Sequence, residues 1–201
     1  MNRLAGKFLW LAPVVMLAVS APAVAQFSDG YNFIKAVKDR DVNKAKTLID
    51  KPGSIIINAR DGDSGDTALM ITLKRRDIPW TAFLLQNGAD PDLRGGDGNT
   101  PLITAAMAKF PEGVRLMLTG KARVDLTNGS GETALIKAVQ RKDAASVRLL
   151  LDAGADPDRP DNLAGMSARD YAARDLRSGP VAQLLAEAPK KTDKQIVGPV
   201  F

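Results

Sequence analysis

Gly65-Asp66-Thr67-Ala68-Leu69, Gly98-Asn99-Thr100-Pro101-Leu102 and Gly131-Glu132-Thr133-Ala134-Leu135 follow one another at steps of 33 residues, and Gly165-Met166-Ser167-Ala168-Arg169 adds a weaker copy 34 residues further on. A second marker keeps the same phase. Leu84-Leu85-Gln86-Asn87-Gly88-Ala89-Asp90-Pro91 returns 66 residues later as Leu150-Leu151-Asp152-Ala153-Gly154-Ala155-Asp156-Pro157. Two motifs sharing one period define a repeat architecture, in which each unit buries its apolar face only by stacking on its neighbours.

Each motif has a local physical role. Thr67, Thr100 and Thr133 stand where a helix should start, because a Thr hydroxyl accepts from the free backbone N–H groups of a first turn. Pro101 follows at the first helical position, where its missing donor costs nothing. A short helix A is expected next, for example over Thr133 to Gln140. Asp41, Asp77 and Asp143 are then placed to cap a second helix B, whose apolar face ends in Leu84-Leu85, Met117-Leu118, Leu150-Leu151 and Leu184-Leu185. Gly88 and Gly154 suit the left-handed residue that closes a helix. Traced backward, the register gives a degenerate first repeat at Ala36-Val37 and Leu48-Ile49, followed by a loop from Lys51 to Asp66 about three residues longer than its counterparts. Traced forward, it gives Ala172-Ala173 and Leu184-Leu185 as a last repeat, with Tyr171 and the charges around it suiting an end cap.

At these residues the chain resembles the ankyrin family, whose repeat length and G-x-T-P-L and L-L-x-x-G-A-D signatures it matches in type, spacing and order. The resemblance covers about residues 28 to 188. It implies an all-α solenoid of about five helix-pair repeats with hairpin loops, near residues 28–57, 58–90, 91–123, 124–156 and 157–188. It also implies binding to another protein through a concave surface made by helix A and the hairpin tips. Two departures stand out. The family's usual His after Leu in helix A, which links neighbouring repeats by hydrogen bonds, is replaced by Met70, Ile103 and Ile136, so apolar packing is expected there. Lys121 occupies the place of Gly88 and Gly154, at a cost of about 1 kcal/mol if its φ is positive. Gly120 beside it offers relief if the turn shifts by one residue.

Outside the repeats, Arg3 and Lys7, the apolar run from Phe8 to Val19 and the small residues Ala23-Val24-Ala25 follow the order of a secretory signal peptide, with cleavage expected after Ala25. Residues 189–201 carry Pro189, Lys190, Lys191 and Lys194 without periodicity and read as a flexible tail. Removing Arg3 and Lys7 takes the net charge from +5 to +3, since residues 1–25 hold no acid. That balance is too mild to indicate a nucleic-acid partner. Hydrophobic content of 45% with 25% charged residues supports a folded core over disorder. There is no His and no Cys, which removes disulfides, thiolate metal sites and the commonest catalytic base.

The remaining motifs carry little chemistry. Asp61-Gly62-Asp63-Ser64-Gly65-Asp66 opens like a calcium loop, but Gly65 and Thr72 stand where the fifth and twelfth ligands belong, so it reads as an acidic hairpin tip. Asn128-Gly129-Ser130-Gly131 reads as the turn before Thr133. Ser130 and Ser167 have no histidine to activate them. Asp90, Asp92, Asp156 and Asp158 read as turn residues, and Trp80 as packing between repeats. No catalytic residue, cofactor or metal is expected. The expected partner is another protein, bound by a monomer in the periplasm or outside the cell. Lys74, Arg75, Arg94, Met107, Asn128, Lys137, Arg141 and Arg174 are the candidate contact residues on the helix A and hairpin face. An accessory enzyme, and a structural protein adhering to anionic envelope polymers, are the alternatives.

Overall fold

A computed structural model describes residues 22–175 and 179–189, with side chains from residue 29 onward. Among the described residues there are ten α-helices arranged as five pairs. The A helices are α1 (Pro22–Asp39), α3 (Ala68–Lys74), α5 (Pro101–Met107), α7 (Ala134–Gln140) and α9 (Ala168–Arg174). The B helices are α2 (Val42–Ile49), α4 (Ile78–Gln86), α6 (Pro111–Thr119), α8 (Ala144–Asp152) and α10 (Gly179–Glu187). Each A helix packs on its own B helix and on the next A helix, and the B helices from α4 onward form a second row behind. The architecture is the expected helical solenoid.

The caps sit where the sequence puts them. Thr67, Thr100 and Thr133 accept from the backbone N–H groups of Met70, Ile103 and Ile136 at 3.2–3.3 Å. In the last repeat Ser167 and Asp170 form a reciprocal capping box. Asp41, Asp77 and Asp143 cap α2, α4 and α8 through Lys44, Trp80 and Ser146. The third repeat has no such side chain. Phe110 precedes α6 without a capping hydrogen bond, and Pro111 leaves one fewer donor to satisfy.

These A helices of seven residues are too short to hold together alone, so burial must stabilise them. Leu69, Met70 and Leu73 of α3, Leu102 and Ile103 of α5, and Leu135 and Ile136 of α7 are fully or almost fully buried. Met70, Ile103 and Ile136 thus supply the apolar packing expected in place of the family histidine. Trp80 is buried too, edge-on to Phe83 of the same helix with ring centroids 5.5 Å apart.

The turn between the two helices of a repeat has a feature that the sequence pattern did not announce. Arg40, Arg76, Lys109 and Lys142 all have φ between 49° and 60°, in the left-handed region where a side chain is disfavoured. Each closes its A helix by a paired turn: in the second repeat Arg76 N–H donates to Leu73 O and Asp77 N–H to Thr72 O, both at 3.0 Å. Three of these cations reach into the following repeat. Arg40 meets Asp77 at 3.2 Å, Arg76 donates to the Ala108 carbonyl, and Lys142 meets Asp175 at 2.6 Å. A cation at a helix C-terminus also opposes the negative end of the helix dipole.

Lys121 behaves as its position implies, and the one-residue shift through Gly120 does not occur. Lys121 has φ +68°, while Gly120 stays at −73° as the C-cap of α6. Lys121 N–H and Ala122 N–H donate to Leu118 O and Met117 O, the same frame that Gly88 and Gly154 use. Gly120 is itself packed near Leu85 of the preceding repeat. Lys121→Gly is therefore expected to stabilise the chain by about 0.5–1 kcal/mol, the left-handed strain less the greater freedom of an unfolded glycine. Urea denaturation checks this, and a lower midpoint for the variant would contradict it.

The first repeat departs from the others. Its A helix is 18 residues long and begins at Pro22, so the segment that forms a hairpin in later repeats is helical here. The expected cleavage point after Ala25 lies inside α1. Residues 1–21 and 190–201, which hold most of the expected signal peptide and tail, lie outside the described residues. The long loop after α2 contains a 3-10 turn at Ile56–Asn58 that buries Ile56.

Candidate functional site

Four hairpins stand in front of the A helices. Each is closed by a backbone bond from its first residue to its last: Asp61 to Asp66, Gly95 to Asn99, Asn128 to Glu132 and Asp161 to Met166, at 2.8–3.0 Å. An Asx turn fixes three of them internally, since the Asp61, Asn128 and Asp161 side chains accept from backbone or hydroxyl groups within the loop. In the third repeat Gly95 takes that place and Asp97 holds Asn99 instead.

The hairpins are joined side by side. Asn128 Nδ2 donates to Asn99 Oδ1 at 3.0 Å, Asn162 N–H donates to Ser130 O at 2.9 Å, and Arg94 donates to the Gly98 and Thr127 carbonyls. Behind them a second ladder links the loops that follow the B helices. Asn58 accepts from Asp90 N–H, Asp92 from Arg123 N–H and Asp125 from Asp156 N–H, each at 2.9 Å. Asp90 and Asp156 also make the Asx turns expected of them, to Asp92 and Asp158. The inter-repeat ladder had only one trace in the sequence: an Asn or Asp recurring near the start of each repeat.

The helix A cations are less free than their pattern implies. Lys74 pairs with the buried Asp66 at 2.6 Å, and Lys137 pairs with the buried Glu132 at 2.6 Å. Burial pushes the Glu132 carboxyl up, but hydrogen bonds from Asn128 and Lys137 outweigh it and hold the group below the ordinary glutamate value. Arg75 is turned inward, donating to the Val37 and Lys38 carbonyls at 2.8 and 3.1 Å and to Asp77, and so ties α1 to the second repeat. Burial lowers its pKa from the ordinary arginine value. Its Nε is buried without a hydrogen-bond partner among the described residues.

Of the other candidates, Met107 is half-buried against the core, and Asn128 is held by four hydrogen bonds to Asn99, Ser130 and Glu132. Arg94 is exposed but bonded to two carbonyls. Arg141 is exposed with no side-chain partner among the described residues, and the exposed Arg174 donates to the Met166 sulfur at 3.7 Å. Along the A helices the structure thus gives a half-buried Met107, Lys74 and Lys137 neutralised by Asp66 and Glu132, and exposed Arg141 and Arg174 in the C-terminal repeats. At its far end Tyr171 donates to Asp161 at 2.5 Å. That bond raises the tyrosine pKa, and it helps hold the aspartate low against the upward push of burial.

Asp61 is committed to Lys38 and Ser64, and Asp66 to Lys74, so two of the three acids of the tip are held in ion pairs. The Ser167 hydroxyl donates to Asp170 within its cap. Among the described residues no three His, Cys, Asp or Glu gather where they could hold a metal ion.

A stack of short helix pairs with a continuous hairpin face defines a helical repeat protein of the binding class. Ankyrin repeats match in three overlapping copies, over residues 33–128, 70–161 and 109–196, and the chain belongs to the ankyrin-repeat family, a protein-interaction fold. It is similar to human 2-5A-dependent ribonuclease, with 37% identity over 86 residues, 42% of this chain and 11% of that protein. It is also similar to Oxysterol-binding protein homolog 1 of Saccharomyces cerevisiae, with 33% identity over 73 residues, 35% of this chain and 6% of that protein. The chain spans about a tenth or less of either relative, and the matched part of the ribonuclease is its repeats.

Proposed function

We propose that the chain is an exported, non-catalytic binding module that holds another protein against its helix A and hairpin face. The observation that carries this is the hairpin row itself. Its side chains and backbone are bonded from repeat to repeat, which fixes a surface before any partner arrives and lowers the ordering cost of binding. Met107 supplies an apolar centre, with Arg141 and Arg174 as steering charges on the rim. Lys74, Arg94, Asn128 and Lys137 shape the surface through their internal bonds, and Arg75 anchors the first repeat. The three signal-peptide zones at residues 1–25 support export to the periplasm or beyond.

Export and face are tested separately. The mature protein recovered from the envelope fraction should have a mass that begins at Gln26, and an intact Met1 there would defeat the export reading. The chain from Gln26 onward, used as bait on envelope extract, should retain a specific protein. Arg141→Glu with Arg174→Glu should reduce that capture about tenfold or more, chiefly by slowing association. Lys46→Glu with Arg148→Glu, exposed on the helix B side, serves as control. If the control abolishes capture and the face reversal does not, the assigned face is wrong.

A further inference from the structure

Positive charge is gathered at one edge of the stack. The turns that join helix A to helix B, at residues 38–41, 74–77, 107–110, 140–143 and 173–175, hold nine Lys or Arg against five Asp, an excess of four. The chain from Gln26 onward carries +3 in all, so outside these turns it has no positive excess. The five aspartates are committed. Asp41, Asp77 and Asp143 cap α2, α4 and α8, Asp39 pairs with Lys35, and Asp175 with Lys142.

Four of the cations meet no carboxylate among the described residues, and they fall one in each of the second to fifth repeats. Arg76 donates to the Ala108 carbonyl, Arg174 to the Met166 sulfur, and Lys109 and Arg141 have no side-chain partner among the described residues. All four are exposed. Arg174 ends α9, Arg141 is the C-cap of α7, and Arg76 and Lys109 follow the C-caps of α3 and α5. The helix pole at each place carries only about half a negative charge, so every one of the four stays partly uncompensated. An A helix of seven residues is about 10 Å long, and that length separates this row from the hairpins. Packed helices lie about 8–10 Å apart, so the row runs about 24–30 Å with one charge per repeat.

The chain itself does not supply the missing negative charge. Residues 1–21 hold Arg3 and Lys7 and no acid, residues 176–178 hold Arg177, and residues 190–201 hold three Lys and one Asp. A second copy brings the same net positive charge. A dense polyanion is out of step with the row, since a nucleic-acid duplex places a charge about every 1.7 Å. An extended polypeptide is in step. In the polyproline II conformation three residues make a turn that rises about 9 Å, so every third side chain lies on one face at about the spacing of the repeats.

We propose that the partner of this chain presents an extended acidic segment, with carboxylates three residues apart, to Arg76, Lys109, Arg141 and Arg174. The proposal rests on the binding reading above. It adds the chemistry of what is bound and a contact line at the ends of the A helices remote from the hairpins.

The test uses the full chain and a labelled peptide, Glu-Pro-Ser repeated four times, followed by fluorescence anisotropy at low salt. Saturable binding that weakens as salt is added is expected. An isomer of the peptide with its four Glu contiguous should bind at least about threefold more weakly, because its charges are out of register with the row. Lys109→Glu with Arg141→Glu should weaken binding of the spaced peptide about tenfold or more. Lys46→Glu with Arg148→Glu makes the same change of net charge on the helix B side and should alter it less than about twofold. All four substituted residues are exposed, so unchanged thermal melting is expected and separates a lost contact from a damaged fold. Absence of saturable binding overturns the proposal, as do equal losses in the two double variants. Tighter binding of the contiguous isomer or of inorganic polyphosphate also overturns it, and would assign the edge to a dense polyanion. The reading on which the proposal rests fails separately, when envelope extract yields no captured protein.

Discussion

Gly65→Ala is expected to destabilise the chain by about 2–4 kcal/mol, from a hairpin tip and not from the core. Two costs add there. Gly65 has φ +70°, which disfavours any side chain by about 1 kcal/mol. A Cβ at this position would also stand 2.8 Å from Gly96 Cα and 3.1 Å from Gly96 N. Those are backbone atoms of the next hairpin and cannot rotate away as a side chain would, so the hairpins must part at a typical overpacking cost of about 1–3 kcal/mol. Gly88→Ala is the internal control. Its φ is +84° and its Cβ would meet nothing within 4 Å, so only the strain of about 1 kcal/mol applies. Urea denaturation of both variants measures the difference. Equal losses would mean that the hairpins are not in contact as described.

Stability should be flat between pH 6 and 8 and fall steeply in acid. With no His and no Cys, no side chain of ordinary pKa titrates in the neutral range. Below it, several carboxyls are held under their ordinary values. A hydrogen bond from Lys38 lowers Asp61, and hydrogen bonds from Ser167 lower Asp170. For Asp97, Glu132 and Asp161 burial acts upward, but their hydrogen bonds prevail. The unfolded chain binds protons before the folded one does as pH falls, so the stability these groups contribute is complete above about pH 5 and is lost through the carboxyl range below it. The alkaline side has the opposite sign. Asp161 raises Tyr171, and Asp39 and Asp61 raise Lys35 and Lys38, so their contribution is complete below about pH 10 and is lost as pH rises through the folded values. Asp161→Asn should shrink both limbs together, because the Tyr171–Asp161 bond contributes to the shift at each end. A thermal-stability profile with a midpoint between pH 6 and 8 would contradict the account.

The repeats, their caps and their core positions were legible because each depends on residues close in sequence. A Thr three residues before a helical N–H, or a Leu pair on one helical face, can be recognised without knowing what lies opposite. The candidate site was legible only as a pattern of cations. Lys74 and Lys137 were visible as charges, but their neutralisation by Asp66 and Glu132 required the hairpin to fold back over its own helix. Arg75 lies in register with Arg141, yet it points into the preceding repeat because α1 ends there with free carbonyls. The left-handed Arg40, Arg76, Lys109 and Lys142 were missed because a cation between two helices looks like ordinary surface. The length of α1 was hidden by the overlap of its first residues with the expected signal peptide.

The arrangement of contacts has a mechanical consequence. The bonds that join repeats run between immediate neighbours, as in Asn58 to Asp90, Asp92 to Arg123 and Asp125 to Asp156. No described helix bridges distant repeats to share a load applied along the chain. Pulled from its two ends, the molecule should therefore yield unit by unit and not in one rupture. Each step would release the 33 residues that separate the motifs, about 110 Å of extended chain. The third repeat lacks a side-chain cap before α6 and carries Lys121 under backbone strain, which makes it the natural place for an internal break to open.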